Sequence, residues 1–240
     1  NVEVGLLEKK AISINHDFFF RHKKGRPFIR MKIAQSLDAK IALSNGESKW
    51  ITSKKSRDDV QQIRLACDAI LVGSGTILKD NPRLDVRKNI RNLNERQPKK
   101  IVLGSSFLKR QNDIKILKGT AEVIVFSKEF SSYAKEGNLI QIPIKKSTTL
   151  QDTLKELGKH ELNSILVEGG SKIFTSFIQE DLVDELILYI SPKILGKESI
   201  DSISIEPPII LSGAKKFKIY DSMHVGDDIK IIMRKKNKYK

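Results

Sequence analysis

The stretch from Asn163 to Ile178, NSILVEGGSKIFTSFI, constrains the fold more than any other part of this chain. Ser164–Val167 is a short, β-rich apolar run that reads as a strand buried on both faces, as in a parallel sheet covered by helices. Glu168 ends the run, Gly169-Gly170 turn the chain, and Ser171 is the expected N-cap of a helix. Ile173, Phe174, Phe177 and Ile178 form the apolar face of that helix. Unpaired N–H groups at such a helix start favour an anion such as a phosphate. Gly-Gly also serves an ordinary tight turn. Glu168 moves the reading toward a ligand site, because open α/β sheets bind ligands at the C-terminal tips of their strands. The GxGxxG fingerprint is absent, which excludes an ordinary dinucleotide-binding domain.

The same pattern occurs earlier. Ala69–Val72 reads as a buried strand, followed by Gly73-Ser74-Gly75-Thr76 and a short helical turn that stops before Asn81-Pro82. Two such turns suggest strand tips sharing one crevice. Thr52 or Ser53 is the expected cap of a helix through about Ala66, with Val60, Ile63 and Cys67 as its stripe and Arg64 beside it. Strands are expected at Phe28–Ser36, Lys100–Leu103, Ala121–Phe126 and Leu139–Ile144, then a helix at Thr149–Leu157 stopped by Gly158. Leu186–Ile190, Phe217–Tyr220 and Ile229–Met233 follow, the last two as a hairpin. This order indicates an α/β domain with a mostly parallel central sheet flanked by helices and antiparallel C-terminal strands. Ahead of it, Val2–Leu6 resembles an edge strand, Glu8–Phe20 a helix and His22–Pro27 a linker.

Composition narrows the function. The net charge of +15 suits polyanions or phosphorylated small molecules, but the lysines are scattered and the one dense basic run is at Arg234–Lys240. Few aromatics sit among the basic residues and no nucleic-acid motif appears. The lone Cys67 excludes an intrachain disulfide and fits a reducing compartment, so a cytoplasmic protein is expected. No apolar run has the ~18 residues of a membrane span. The four histidines are isolated, so no metal site is expected. What remains is a set of polar residues at strand ends: Lys32, Ser48, Arg64, Thr76, Asp80, Arg87 and Glu168.

Four co-linear segments carry a family resemblance: RPFIRMK through SLDAKIAL, NGESKWITS, DAILVGSGTILKDNPRLDVR and ILVEGGSKIF. Together they resemble the reductase half of the bifunctional riboflavin-biosynthesis deaminase–reductase. That half is 5-amino-6-(5-phosphoribosylamino)uracil reductase, with a dihydrofolate-reductase-like fold. The resemblance covers about residue 26 onward. Residues 1–25 then read as the tail of a deaminase domain or a linker, and the zinc-deaminase signature is absent. The resemblance implies NADPH as cofactor, a homodimer, and a deaminase domain in the full-length protein. It places cofactor contacts at Ala34, Trp50, Thr76, Asp80, Ser105 and the loop Gly170, Ser171, Lys172, Ile173, Phe174, Thr175 and Ser176. Substrate contacts fall on Ser48, Arg64, Leu84, Arg87 and Glu168. Lys32 matches a lysine implicated in activity, and Lys32, Asp80 and Glu168 are the candidate catalytic groups. The related fold also implies a cis peptide at Gly169-Gly170. The family usually has glycine where this chain has Ala39. Lys109 or Arg110, near Ser105, would favour the extra phosphate of NADPH. Two other readings stand beside this one: a reductase of the same scaffold acting on a pterin or related heterocycle, and a basic nucleic-acid-binding protein.

Overall fold

The computed structural model describes residues 3–87, 97–109 and 113–235. The strands, in chain order, are β1 (Phe28–Ser36), β2 (Lys40–Ala42), β3 (Ala69–Gly73), β4 (Lys99–Leu103), β5 (Val123–Ser127), β6 (Ala134–Glu136), β7 (Leu139–Pro143), β8 (Ser164–Val167), β9 (Glu185–Ser191), β10 (Ile200–Asp201), β11 (Phe217–Val225) and β12 (Asp228–Lys235). The helices are α1 (Glu8–Ile14), α2 (His16–Lys24), α3 (Lys54–Leu65), α4 (Ser74–Asp80), α5 (Leu150–Lys159) and α6 (Ser171–Gln179).

The large sheet runs β11-β12-β9-β1-β8-β3-β4-β5-β7-β6. From β9 to β7 every neighbouring pair is parallel. Antiparallel strands finish both edges, β12 and β11 beside β9 and β6 beside β7. The sequence predicts the C-terminal pair but not β6. After the Ala39 turn, β2 pairs with β10 in a separate two-stranded ribbon.

The apolar runs form strands because helices cover both faces of the sheet. Leu71, Ile101, Ile124, Val167, Leu154, Phe174 and Phe177 lie in one buried cluster, while Ile70, Val72, Val102, Val123 and Phe107 lie in another. After β1 the chain reaches β3 and then builds outward through β4, β5 and β7. It returns to lay β8 between β1 and β3, and then puts β9 on the far side of β1. The tip of β8 is thus a switch point, where such sheets open a crevice.

Local expectations fail where tertiary contacts intervene. Glu3–Leu7 holds no strand, and the helix read at Glu8–Phe20 is two helices separated at Asn15. The second runs through the expected linker to Lys24, where basic residues suit a helix C-terminus, and Gly25 ends it at φ 66°. Gly158 does not stop α5. It lies inside the helix, and a Cβ there would come 2.6 Å from the Gly25 carbonyl oxygen, so glycine is required by close approach. Gly170, not Ser171, is the N-cap of α6, with no side-chain cap. Among the described residues the cis peptide falls at Lys49–Trp50 rather than Gly169-Gly170. Ala39 sits at φ 61° in the turn after β1. Arg110 and the tail beyond Lys235 lie outside the described residues.

Candidate active site

Glu168 extends the tip of β8, and its N–H donates to the Leu71 carbonyl of β3 at 2.9 Å. Its carboxylate takes both edges of the Arg64 fork, from Nε at 2.6 Å and from Nη2 at 2.8 Å. Arg64 reaches it because α3 turns Ser56, Val60 and Arg64, four residues apart, toward the sheet. The expected stripe left Arg64 at its edge; in the fold it is on the stripe, since Glu168 neutralises the charge that would keep arginine outside.

Lys32 projects from β1 on the same face as Ala34, and its strand neighbour in β9 is Ile187. Its Nζ lies 5.8 Å from the centre of the Tyr189 ring. The Tyr189 hydroxyl donates to Asp59 Oδ2, which also accepts from Lys230 Nζ at 2.7 Å. Burial pushes the Lys32 ammonium below the ordinary lysine value, with Glu168 opposing and Arg64 reinforcing that fall. For Glu168, burial pushes upward, but Arg64 prevails, helped by Lys32 and Arg87, and holds the carboxyl below the usual carboxylate range. Three cations therefore face one carboxylate, an environment suited to an anionic ligand.

Other predicted residues surround this cluster at varying depth. Ala34 packs with Val60, Ile187 and Tyr189. Ser48 is half-buried in the loop before Trp50. Trp50 is 60% exposed, with the Arg57 guanidinium stacked 4.2 Å from its ring centre. Thr76 is half-buried in α4, and Asp80 ends that helix on its exposed side. Asp80 is not among the charges that act on Lys32 or Arg64. Leu84, at φ 57°, buries its side chain in the core, so its side chain is not available to a ligand.

The glycine turns are open on one side only. A Cβ at Gly73 would come 3.0 Å from Ile173, and one at Gly169 would come 3.3 Å from it, so Ile173 packs beneath both turns. A Cβ at Gly75 or Gly170 would meet nothing within 4 Å. Phe174 is buried in the core, and Thr175 Oγ1 accepts from the Ser204 N–H at 2.9 Å. Ser176 Oγ donates to the Lys172 carbonyl at 2.9 Å. What α6 offers a ligand is therefore mainly backbone, with Ser171 and Lys172 at its start. Ser105, at the tip of β4, is buried and engaged by Ser127 Oγ at 2.7 Å and Glu129 Oε2 at 3.1 Å. Lys109 pairs with the same Glu129 oxygen at 3.1 Å, so the expected basic partner is already matched.

Sequence reasoning missed Tyr189, Asp59, Lys230, Asp85 and Lys100. For Lys100 the signal was present: a lysine inside a buried parallel strand, Lys99–Leu103, requires an interior partner.

The RibD C-terminal domain family model matches residues 27–231. A riboflavin biosynthesis protein RibD of Buchnera aphidicola subsp. Baizongia pistaciae is 37% identical, over 98% of this chain and 67% of its own length. A 5-amino-6-(5-phosphoribosylamino)uracil reductase of Buchnera aphidicola subsp. Acyrthosiphon pisum is 32% identical, over 81% of this chain and 99% of its own length. The structure of Acinetobacter baumannii RibD, form 1, superposes with a TM-score of 0.86 at 31% identity, over 98% of this chain and 65% of that one. The chain spans about two thirds of the length of the relatives named RibD. The sheet and its helices have the dihydrofolate-reductase-like fold of these reductase domains.

Proposed function

The chain belongs to the RibD C-terminal domain family, and from that premise we propose that it is a 5-amino-6-(5-phosphoribosylamino)uracil reductase. It converts the ribosyl group to the ribityl product with NADPH. The observation that carries this reading is the Lys32–Arg64–Glu168 cluster at the switch-point tip of β8, with the charge of Arg87 beside it.

NADPH fits the crevice because the turns at Gly75 and Gly170 leave room for close approach, and the first amides of α6 lack helical partners. Bound there, it supplies the hydride. The remaining task is positioning, with reacting atoms about 3–3.5 Å apart. The substrate is the ring-opened imine, and the hydride is added at its C1′. Glu168, kept ionised by Arg64, favours positive charge on the imine nitrogen. Lys32, its pKa lowered by burial, is suited to hand a proton to the substrate. Arg87 and Ser48 bind the 5′-phosphate, with Arg64 adding charge while its fork holds Glu168. Asp80, Ser105 and Trp50 remain proposed cofactor contacts, and the 60% exposed Trp50 ring is free to meet a ligand. The reductase domain begins at Arg26, and residues 1–25 form the link from a deaminase domain. They are not detached, for Arg30 holds Asp17 of α2 at 2.6 Å.

The protein is proposed to act as a cytoplasmic homodimer. Among the described residues no helix is long and apolar enough to cross a membrane. β11 is an outer strand with Ile219, Tyr220 and Met223 exposed, a surface suited to a second subunit. NADPH oxidation measured with and without the ribosylaminouracil phosphate tests the activity. No substrate-dependent oxidation by folded protein would refute it.

A further inference from the structure

We propose that Leu84–Arg87 is a preset jaw of the substrate site, and that Lys100, Gln97 and Gln61 are positioning residues that hold it. Each residue of the segment is fixed by a different part of the fold. Leu84 is anchored in the core. Asp85 accepts an ion pair from Lys100 Nζ at 2.7 Å, and that lysine, only 1% exposed, stands inside β4. A buried ion pair adds little net stability over an apolar one, so its contribution here is placement. Lys100 Nζ also donates to the Ile116 carbonyl at 3.3 Å, which uses a second of its donors.

The Gln97 side chain brackets Val86 as a neighbouring strand would. Its Oε1 accepts from the Val86 N–H at 2.9 Å, and its Nε2 donates to the Val86 carbonyl at 3.2 Å. Gln61 of α3 accepts the Arg87 N–H at 3.0 Å. The segment returns the constraint, since the Asp85 carbonyl accepts from Arg64 Nη1 at 3.2 Å. The guanidinium that grips Glu168 is therefore located by the same four residues that launch Arg87. Side-chain hydrogen bonds to backbone do here what a strand ladder does elsewhere, in a segment that has no ladder.

This inference rests on the reading of Arg87 as a phosphate ligand, so its test must separate the two. Lys100→Met, Gln97→Leu, Gln61→Leu and Arg87→Met are compared with the parent in full-chain protein. A jaw set loosely should raise KM for the phosphorylated substrate about 10-fold while kcat stays within about twofold, the pattern of lost uniform binding. The competitive Ki of ribose 5-phosphate should rise by the same factor, and NADPH affinity should stay unchanged. Should Lys100→Met fail to fold, the two glutamine variants, which strand no buried charge, carry the test. Unchanged KM in folded brace variants, or parallel losses of kcat and NADPH affinity, would overturn the proposal. If Arg87→Met leaves discrimination against dephosphorylated substrate intact, the phosphate reading itself fails and the jaw with it. If Arg87→Met removes that discrimination while the brace variants keep a normal KM, only the jaw is wrong.

Discussion

Glu168→Gln perturbs the centre of the site and has a calculable consequence. The Arg64 and Glu168 side chains are 10% and 14% exposed, and their contact is bidentate. Breaking one partner of a buried pair costs about 3–5 kcal/mol. Glutamine keeps one acceptor oxygen for Arg64, and the crevice admits some water, which brings the expected loss to about 2–3 kcal/mol. At about 2–4 °C per kcal/mol for a chain of this size, Tm should fall by about 4–12 °C. The acid side carries the sign. Because the folded pKa of Glu168 is depressed, its contribution is fully present above the unfolded value of about 4.3 and is lost as pH falls through the folded one. Calorimetry should therefore show the full gap between parent and variant at neutral pH and a shrinking gap on acidification below about pH 4. Arg64→Met with Glu168→Leu should recover much of the stability but none of the turnover. A Glu168→Gln Tm within roughly 1 °C of the parent at neutral pH, or a gap that widens in acid, would refute the buried-pair account.

Gly170→Ala should fold as the parent does, since its Cβ would meet nothing within 4 Å, yet bind NADPH more weakly; titration calorimetry decides, and unchanged affinity would remove the cofactor from that loop. Arg87→Met should lower kcat/KM for the phosphorylated substrate by about 10- to 100-fold, the worth of one charge-assisted hydrogen bond, and leave the dephosphorylated substrate unaffected. Ala39→Gly should stabilise the protein, because relief of about 1–2 kcal/mol at φ 61° exceeds the roughly 0.4–1 kcal/mol of extra chain entropy. Thermal unfolding showing a lower Tm would contradict it.

The parallel core was legible because its strands are unbroken apolar runs that end in glycine turns, as at Ile70–Gly73 and Ile165–Gly169. Glu168 stood out for the same reason, a carboxylate at the end of such a run. Its partner was half legible. Arg64 belongs to no apolar periodicity, and only the fold reveals that Glu168 draws it into the buried stripe of α3. Gly158 misled because a stop signal and a close-contact glycine look alike in one dimension; the difference lies in Gly25, more than a hundred residues earlier. As ligand contacts Phe174 and Leu84 came from resemblance, and the fold sends both side chains inward, as the apolar periodicity of α6 already implied for Phe174. The supports of the Leu84–Arg87 segment escaped notice since glutamines on a helix face or in a loop carry no pattern that marks them as backbone ligands.

The insertion of β8 between β1 and β3 bears on how this domain assembles. The sheet partners of β1 are β8 and β9, both made more than a hundred residues later. Until Ser164–Val167 is synthesised and docked, the two halves of the sheet share no ladder across their middle. Closing loops of that length before any hydrogen bond rewards them makes for slow, late assembly. The strand that joins the two halves is the one that ends on Glu168. The link between the two halves and the carboxylate at the centre of the candidate site therefore arrive together, and a chain lacking residues from 164 onward has neither.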